Sequence, residues 1–157
     1  MKQYWLLKSE PSCFSIDDLK SAPKQTEHWD GVRNYQARNF IRDGMKKGDL
    51  AFFYHSNCTP PSIVGVIEVT SDPYPDFTAF DPESQHPDPN STPDNPRWFM
   101  VDVTYKEKFS NPIALDTLKQ YPQLEKMPLV RKGNRLSVMP ISHEEWIFIT
   151  QNLAKSG

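Results

Sequence analysis

WDGVRNYQARNFIR, residues 29–42, joins a large aromatic, a tight turn, a helix start and three arginines. Asp30-Gly31 is a turn dipeptide, because glycine accepts backbone angles that other residues resist. Asn34 suits a helix N-cap, where its side-chain oxygen takes up an unpaired first-turn N–H. Ala37, Phe40, Ile41 and Met45 then recur at helical spacing and form one apolar face. Gly44 is a stop. Arg38 and Arg42, four apart, share a second face. Trp29 therefore falls in a loop beside a helix N-terminus, a place that suits anions and polar ligands. The same residues also fit a core tryptophan and solvated arginines, since Trp is usually buried in part.

Toward the N-terminus, Gln3 to Lys8 reads as a strand. Trp5 and Leu7 point one way, Tyr4 and Leu6 the other, so both faces are apolar and the strand is central. Ser15 to Leu19 carries a capping box, Ser15 with Asp18, and predicts a helix from Ile16 to about Ser21. Beyond the arginine helix, Leu50 to His55 and Ile63 to Thr70 read as strands. Gly65 within the second marks a bulge or a close backbone approach. Residues 71–97 hold seven prolines among Asp, Asn and Ser, which predicts a long loop with a mobile tip near Gln85 to Asp94. Strand pattern resumes from Trp98 to Tyr105. A short helix over Ala114–Lys119, a basic turn over Arg131–Arg135 and a short strand over Leu136–Met139 follow. Ser142 and Glu145 cap a last helix that packs through Trp146, Ile149, Thr150 and Leu153. The pattern gives an α+β fold, a mostly antiparallel curved sheet or small barrel with peripheral helices.

At 157 residues the chain is expected to be a single domain, 1–157, large enough for a core without staples. Its net charge of -2 argues against binding nucleic acid by bulk charge, while leaving room for a local basic face. The apolar run in MKQYWLLKSEP is too short for a signal peptide or a membrane span. Cys13 and Cys58 form no CxxC or zinc pattern. Free thiols and a cytoplasmic location are the expectation.

His28, His55, His86 and His143 lack metal-ligand spacing, no Gly-rich phosphate loop occurs, and no serine lies in a nucleophile elbow. Neither metal nor cofactor is expected. His55 with Asp30 would make a base and its orienter if the two met. Binding signatures are richer. Tyr54-His55-Ser56 ends one strand and Lys8-Ser9-Glu10 ends another. If these strands are neighbours, both tips meet the Trp29 loop and build a pocket with a stacking wall, suited to a planar heterocycle.

YWLLKSEP, SIDDL, WDGVRNYQARN, GD with FYHS, IVGVIEV, PRW with VDV, and RLSVMP together resemble the EVE domain family, colinear from Tyr4 to Pro140. The resemblance implies a PUA-like fold, kinship with YTH domains, and recognition of a modified base in DNA or RNA. It implies a pocket lined by Lys8, Ser9, Glu10, Trp29, Asp30, Arg33, Asn34, Tyr54, His55 and Ser56, with Trp98 contributing to a lid. On this reading Trp29 stacks on a methylated or hydroxymethylated base, and Ser9, Asn34 and Ser56 read its edge. Arg33, Arg38, Arg42, Lys46 and Lys47 contact phosphate. The partner is nucleic acid carrying that base, with no membrane involved. Two other readings stand beside it: a hydrolytic or modifying enzyme using His55 and Asp30, and a sensor of a free nucleotide-like molecule.

Overall fold

In a computed structural model, which describes residues 3–131 and 136–154, the N-terminal strand is β1 (Tyr4–Ser9). Trp5 and Leu7 enter one apolar cluster and Leu6 the other, so β1 is buried on both faces. It lies between β3 (Leu50–His55), in parallel, and β8 (Val138–Ile141), antiparallel. β4 (Ser62–Val69), β7 (Asp102–Ala114) and β2 (Thr26–His28) extend the sheet antiparallel beyond β3. The order is β2-β7-β4-β3-β1-β8, a curled sheet that leaves β2 and β8 as its edges. Pro140 sits in edge strand β8, paired on one side only, where a missing N–H is tolerated.

Local chemistry sets the helices. α1 (Ile16–Ser21) starts on the Ser15–Asp18 capping box. α2 (Tyr35–Asn39) starts on Asn34, whose side chain accepts from the Ala37 N–H, and continues as a π-helical turn, Phe40–Gly44. α3 (Leu115–Leu118) is a single turn. α4 (His143–Phe148) carries the Ser142–Glu145 capping box. Asp49 ties the turn before β3 to β1: it accepts from the Trp5 indole at 3.0 Å, the Gln3 N–H at 3.1 Å and the Lys46 N–H at 2.9 Å. At Gly65 the pairing of β4 shifts against both neighbours, and a Cβ there would run into the Glu107 carbonyl oxygen.

The two faces of the sheet carry different clusters. Trp146 stacks on Phe52 at 4.0 Å and on Tyr4 at 4.5 Å on one face. Trp29 joins Trp5, Phe53, Val32 and Ile41 on the other. Neither cluster is confined to one side of the Pro-rich segment.

The structure departs from the sequence expectations in three places. Thr26–His28 is a strand although its residues show no apolar alternation; pairing with β7 supplies what propensity does not. The strand expected over 98–105 breaks at Val101. Its first part, β6 (Phe99–Met100), pairs with β5 (Tyr74–Pro75) inside the Pro-rich segment, and its second part runs on to Ala114. The Pro-rich segment is also folded back on itself, with a 3-10 turn over Phe77–Phe80 capped by Asp76. Of the expected basic turn, Lys132 to Arg135 lie outside the described residues. No helix among the described residues is long and apolar enough to cross a membrane.

Candidate functional site

A cleft of about 380 Å³ opens at the tip of β1, within the range of about 300–1,000 Å³ typical of small-ligand sites. Four stretches line it. Lys8 and Ser9 come from the end of β1, and Cys13 and Phe14 from the turn before α1. Glu27 and His28 come from β2, with Trp29 and Asp30 directly after it. Thr78, Ser84, Gln85 and His86 come from the Pro-rich segment.

Trp29 is 7% exposed and meets Phe53 at 5.3 Å and Phe14 at 6.3 Å, both rings near perpendicular to it. Its N–H donates to the Val101 carbonyl, which pins it where β6 and β7 part. One side of the indole thus belongs to the core while the residue still forms cleft wall. Next to it, Asp30 Oδ2 lies 3.2 Å from His86 Nε2 and 3.7 Å from His28 Nε2. His28 Nδ1 in turn lies 3.0 Å from Glu27. Gly31 has φ +80°, and a Cβ there would fall 2.8 Å from the His86 ring. Glycine therefore serves both the turn and the close seating of His86.

What holds the Pro-rich wall in place is Arg33. Its guanidinium donates to Asp76 at 2.9 Å, the His86 carbonyl at 2.6 and 3.2 Å, the Val32 carbonyl at 3.1 Å and Thr78 at 3.4 Å. That engages all five of its N–H donors. Asp76 is fully buried. Burial pushes its carboxyl up, but hydrogen bonds from Thr78, the Gly31 N–H and Arg33 outweigh that and hold it below the usual carboxylate range. Among the described residues, no three His, Cys, Asp or Glu side chains converge closely enough to hold a metal ion.

The EVE domain model matches residues 3–152. The chain belongs to the EVE family. It is 48% identical over 166 residues to thymocyte nuclear protein 1 of Mus musculus, across 95% of this chain and 73% of the relative. A solved protein of Pseudomonas syringae superposes with a TM-score of 0.90 at 49% identity, covering 94% of this chain and 97% of that one. The crystal structure of human THYN1 in complex with 5-methylcytosine containing DNA superposes with a TM-score of 0.90 at 45% identity, covering 96% of each chain. The fold is α+β and PUA-like.

In this EVE chain, four of the eleven residues expected in the pocket line the cleft: Lys8, Ser9, Trp29 and Asp30. The other seven are placed elsewhere, each for a visible reason. Arg33 spends its donors on the Pro-rich wall, so it is corrected from phosphate contact to internal clamp. The Asn34 oxygen is used as the α2 cap. Tyr54 belongs to the Trp146 face of the sheet, opposite Trp29, because strand alternation sends it there. His55 Nε2 accepts from the Ile16 N–H at 3.1 Å, and burial lowers its pKa. Asp30 is engaged by His86 and His28 instead, so the His55–Asp30 base pair is not formed. Ser56 donates its backbone N–H to Ser9 and knits the two strand tips. Glu10 accepts from Asn57, out on the surface. Trp98 stacks on Tyr35 at 4.8 Å, with Arg33 5.5 Å from its ring centroid and its indole donating to Asp88. It is a pillar of the Pro-rich segment and not a lid.

The residues that sequence reasoning missed are Cys13, Phe14, Glu27, His28, Thr78, Ser84, Gln85 and His86. Glu27 and His28 directly precede Trp29, and that adjacency was a usable signal. Nothing in the Pro-rich composition marks His86 as the residue that closes on Gly31.

Proposed function

We propose that this EVE domain binds nucleic acid by drawing a modified base, of the 5-methylcytosine kind, out of its stack and into the Trp29 cleft. The observation that carries this is the cleft itself. It sets a tryptophan wall and Phe14 beside hydrogen-bonding groups of Ser9, Asp30 and His86, in a chain closely similar to a protein crystallised with 5-methylcytosine containing DNA. A base in a duplex is out of reach until it is extruded, so the cleft is suited to a flipped nucleotide. The aromatic side chains take the ring and its methyl, and the polar groups take its edge. A buried methyl is worth only about 0.8 kcal/mol, or roughly fourfold, so stronger discrimination comes from shape.

Phosphate contact falls to Arg38, Arg42, Lys46 and Lys47, along α2, its π-helical turn and the residues that follow. Arg42, Lys46 and Lys47 are exposed. Among the described residues neither lysine makes an ion pair, and Arg42 is paired only with its neighbour Asp43, at 2.9 Å. Such contacts position nucleic acid without reading sequence.

The test is titration by tryptophan fluorescence of two duplexes that differ by one cytosine methyl, between 50 and 200 mM salt. The methylated duplex is expected to bind tighter. Replacing Arg38 and Arg42 together with Glu is expected to weaken both duplexes by the same factor. It should also lower the salt slope by about 1.8, at about 0.9 per phosphate contact. Equal binding of the two duplexes by the native chain overturns the modified-base reading. An unchanged slope in the variant removes Arg38 and Arg42 from the phosphate face.

A further inference from the structure

Asp30 offers the cleft an acceptor that the described residues leave unused. Asp30 Oδ2 is engaged by His86 at 3.2 Å and approached by His28 at 3.7 Å. Among the described residues Asp30 Oδ1 has no hydrogen-bond partner, and no buried side-chain nitrogen or oxygen lacks one. Oδ1 is therefore open, on a side chain that is 30% exposed and lines the cleft. It is also held in place. His86 is seated on Gly31, its carbonyl is gripped by Arg33, and Glu27 braces His28.

We propose that Asp30 is the specificity-determining residue of this cleft, accepting a hydrogen bond from the exocyclic amine of a cytosine-class base through Oδ1. This rests on the proposed function above and goes beyond the methyl group. A carboxylate oxygen can only accept. An amine at position 4 of a pyrimidine gives it a charge-assisted bond, the pairing by which carboxylates read cytosine N4. A carbonyl at the same position sets acceptor against acceptor and leaves both unpaired. Sites built to bond a polar group reject analogues that cannot complete the bond far more strongly than they reject a missing methylene. Ser9 adds to this: its hydroxyl hydrogen goes to the Phe14 carbonyl, which leaves its oxygen only lone pairs to offer a ligand.

Thymine is the informative competitor, because it carries the same methyl as 5-methylcytosine on the same ring and differs by a carbonyl at position 4 and a proton on N3. The probes are single-stranded oligonucleotides, identical except for 5-methylcytosine, cytosine, thymine or an abasic site at one position, so that no duplex has to open. The native chain is expected to bind 5-methylcytosine and cytosine at least about tenfold tighter than thymine. In Asp30→Asn, whose amide both donates and accepts, that ratio is expected to fall toward one, with melting recorded alongside. Equal native binding of 5-methylcytosine and thymine, with cytosine weaker, overturns the role of Asp30 and leaves the methyl reading standing. A native preference for the amine that survives in Asp30→Asn also overturns it. If all four probes bind alike, abasic included, the base-binding cleft fails and this inference fails with it.

Discussion

Trp29→Ala is expected to lose both stability and ligand binding. Truncating a buried tryptophan typically costs about 3–5 kcal/mol. For a chain of this size that lowers the melting temperature by roughly 6–20 °C. Trp29 qualifies because it is packed against Phe14 and Phe53 and lies in the same cluster as Val32 and Ile41. As cleft wall it is also expected to contribute about 1–3 kcal/mol of stacking, so affinity should fall about 5- to 150-fold, for modified and plain bases alike. Trp29→Phe separates the two effects: it retains a ring against Phe53 and should recover more of the melting temperature than of the affinity. Calorimetry and oligonucleotide titration below the transition read the two axes independently. A Trp29→Ala protein that melts low yet binds normally when folded removes Trp29 from the ligand and leaves it in the core.

The second large effect is expected at Asp76. It is fully buried, and it takes hydrogen bonds from Arg33, the Gly31 N–H and Thr78. Removing one partner of a buried ion pair costs about 3–5 kcal/mol, because the other charge is left uncompensated. Asp76→Ala strands the Arg33 guanidinium and frees the segment that carries His86. The expected readout is limited proteolysis: cleavage between Asp81 and Asn95 should be slow in the native chain and become the first event in the variant. Acid should do the same to the native chain. The Asp76 carboxyl is held below its ordinary value, so its contribution is fully present above the unfolded carboxylate value of about 3.9. It is lost as pH falls through the lower, folded value. In Asp76→Asn this part of the acid profile should be missing. Native-like protection of residues 81–95 in Asp76→Ala would mean that the Pro-rich wall is held by Trp98, Tyr35 and Asp88 instead.

Much of the frame was legible in the residues, where short-range physics dominates. Alternation gave β1 and β3 and the face each side chain takes. Ser15 with Asp18, Asn34, and Ser142 with Glu145 gave three helix starts, because a cap is satisfied within four residues. Gly65 announced a close approach. Strands without their own periodicity were not legible: β2 and β5 exist because a neighbour offers an unpaired ladder, and the neighbour lies far along the chain.

The site divides in the same way. The strand tip at Lys8-Ser9 and the turn at Trp29-Asp30 were readable as cleft, since each ends an element whose direction its own sequence sets. Whether Arg33 faces solvent or Asp76, and whether Asp30 meets His55 or His86, depends on contacts 43 to 56 residues apart. A side chain's identity states what it can donate or accept. Only the tertiary structure decides which partner arrives first, because burial makes an unpaired polar group costly and drives each donor to the acceptor the fold brings near.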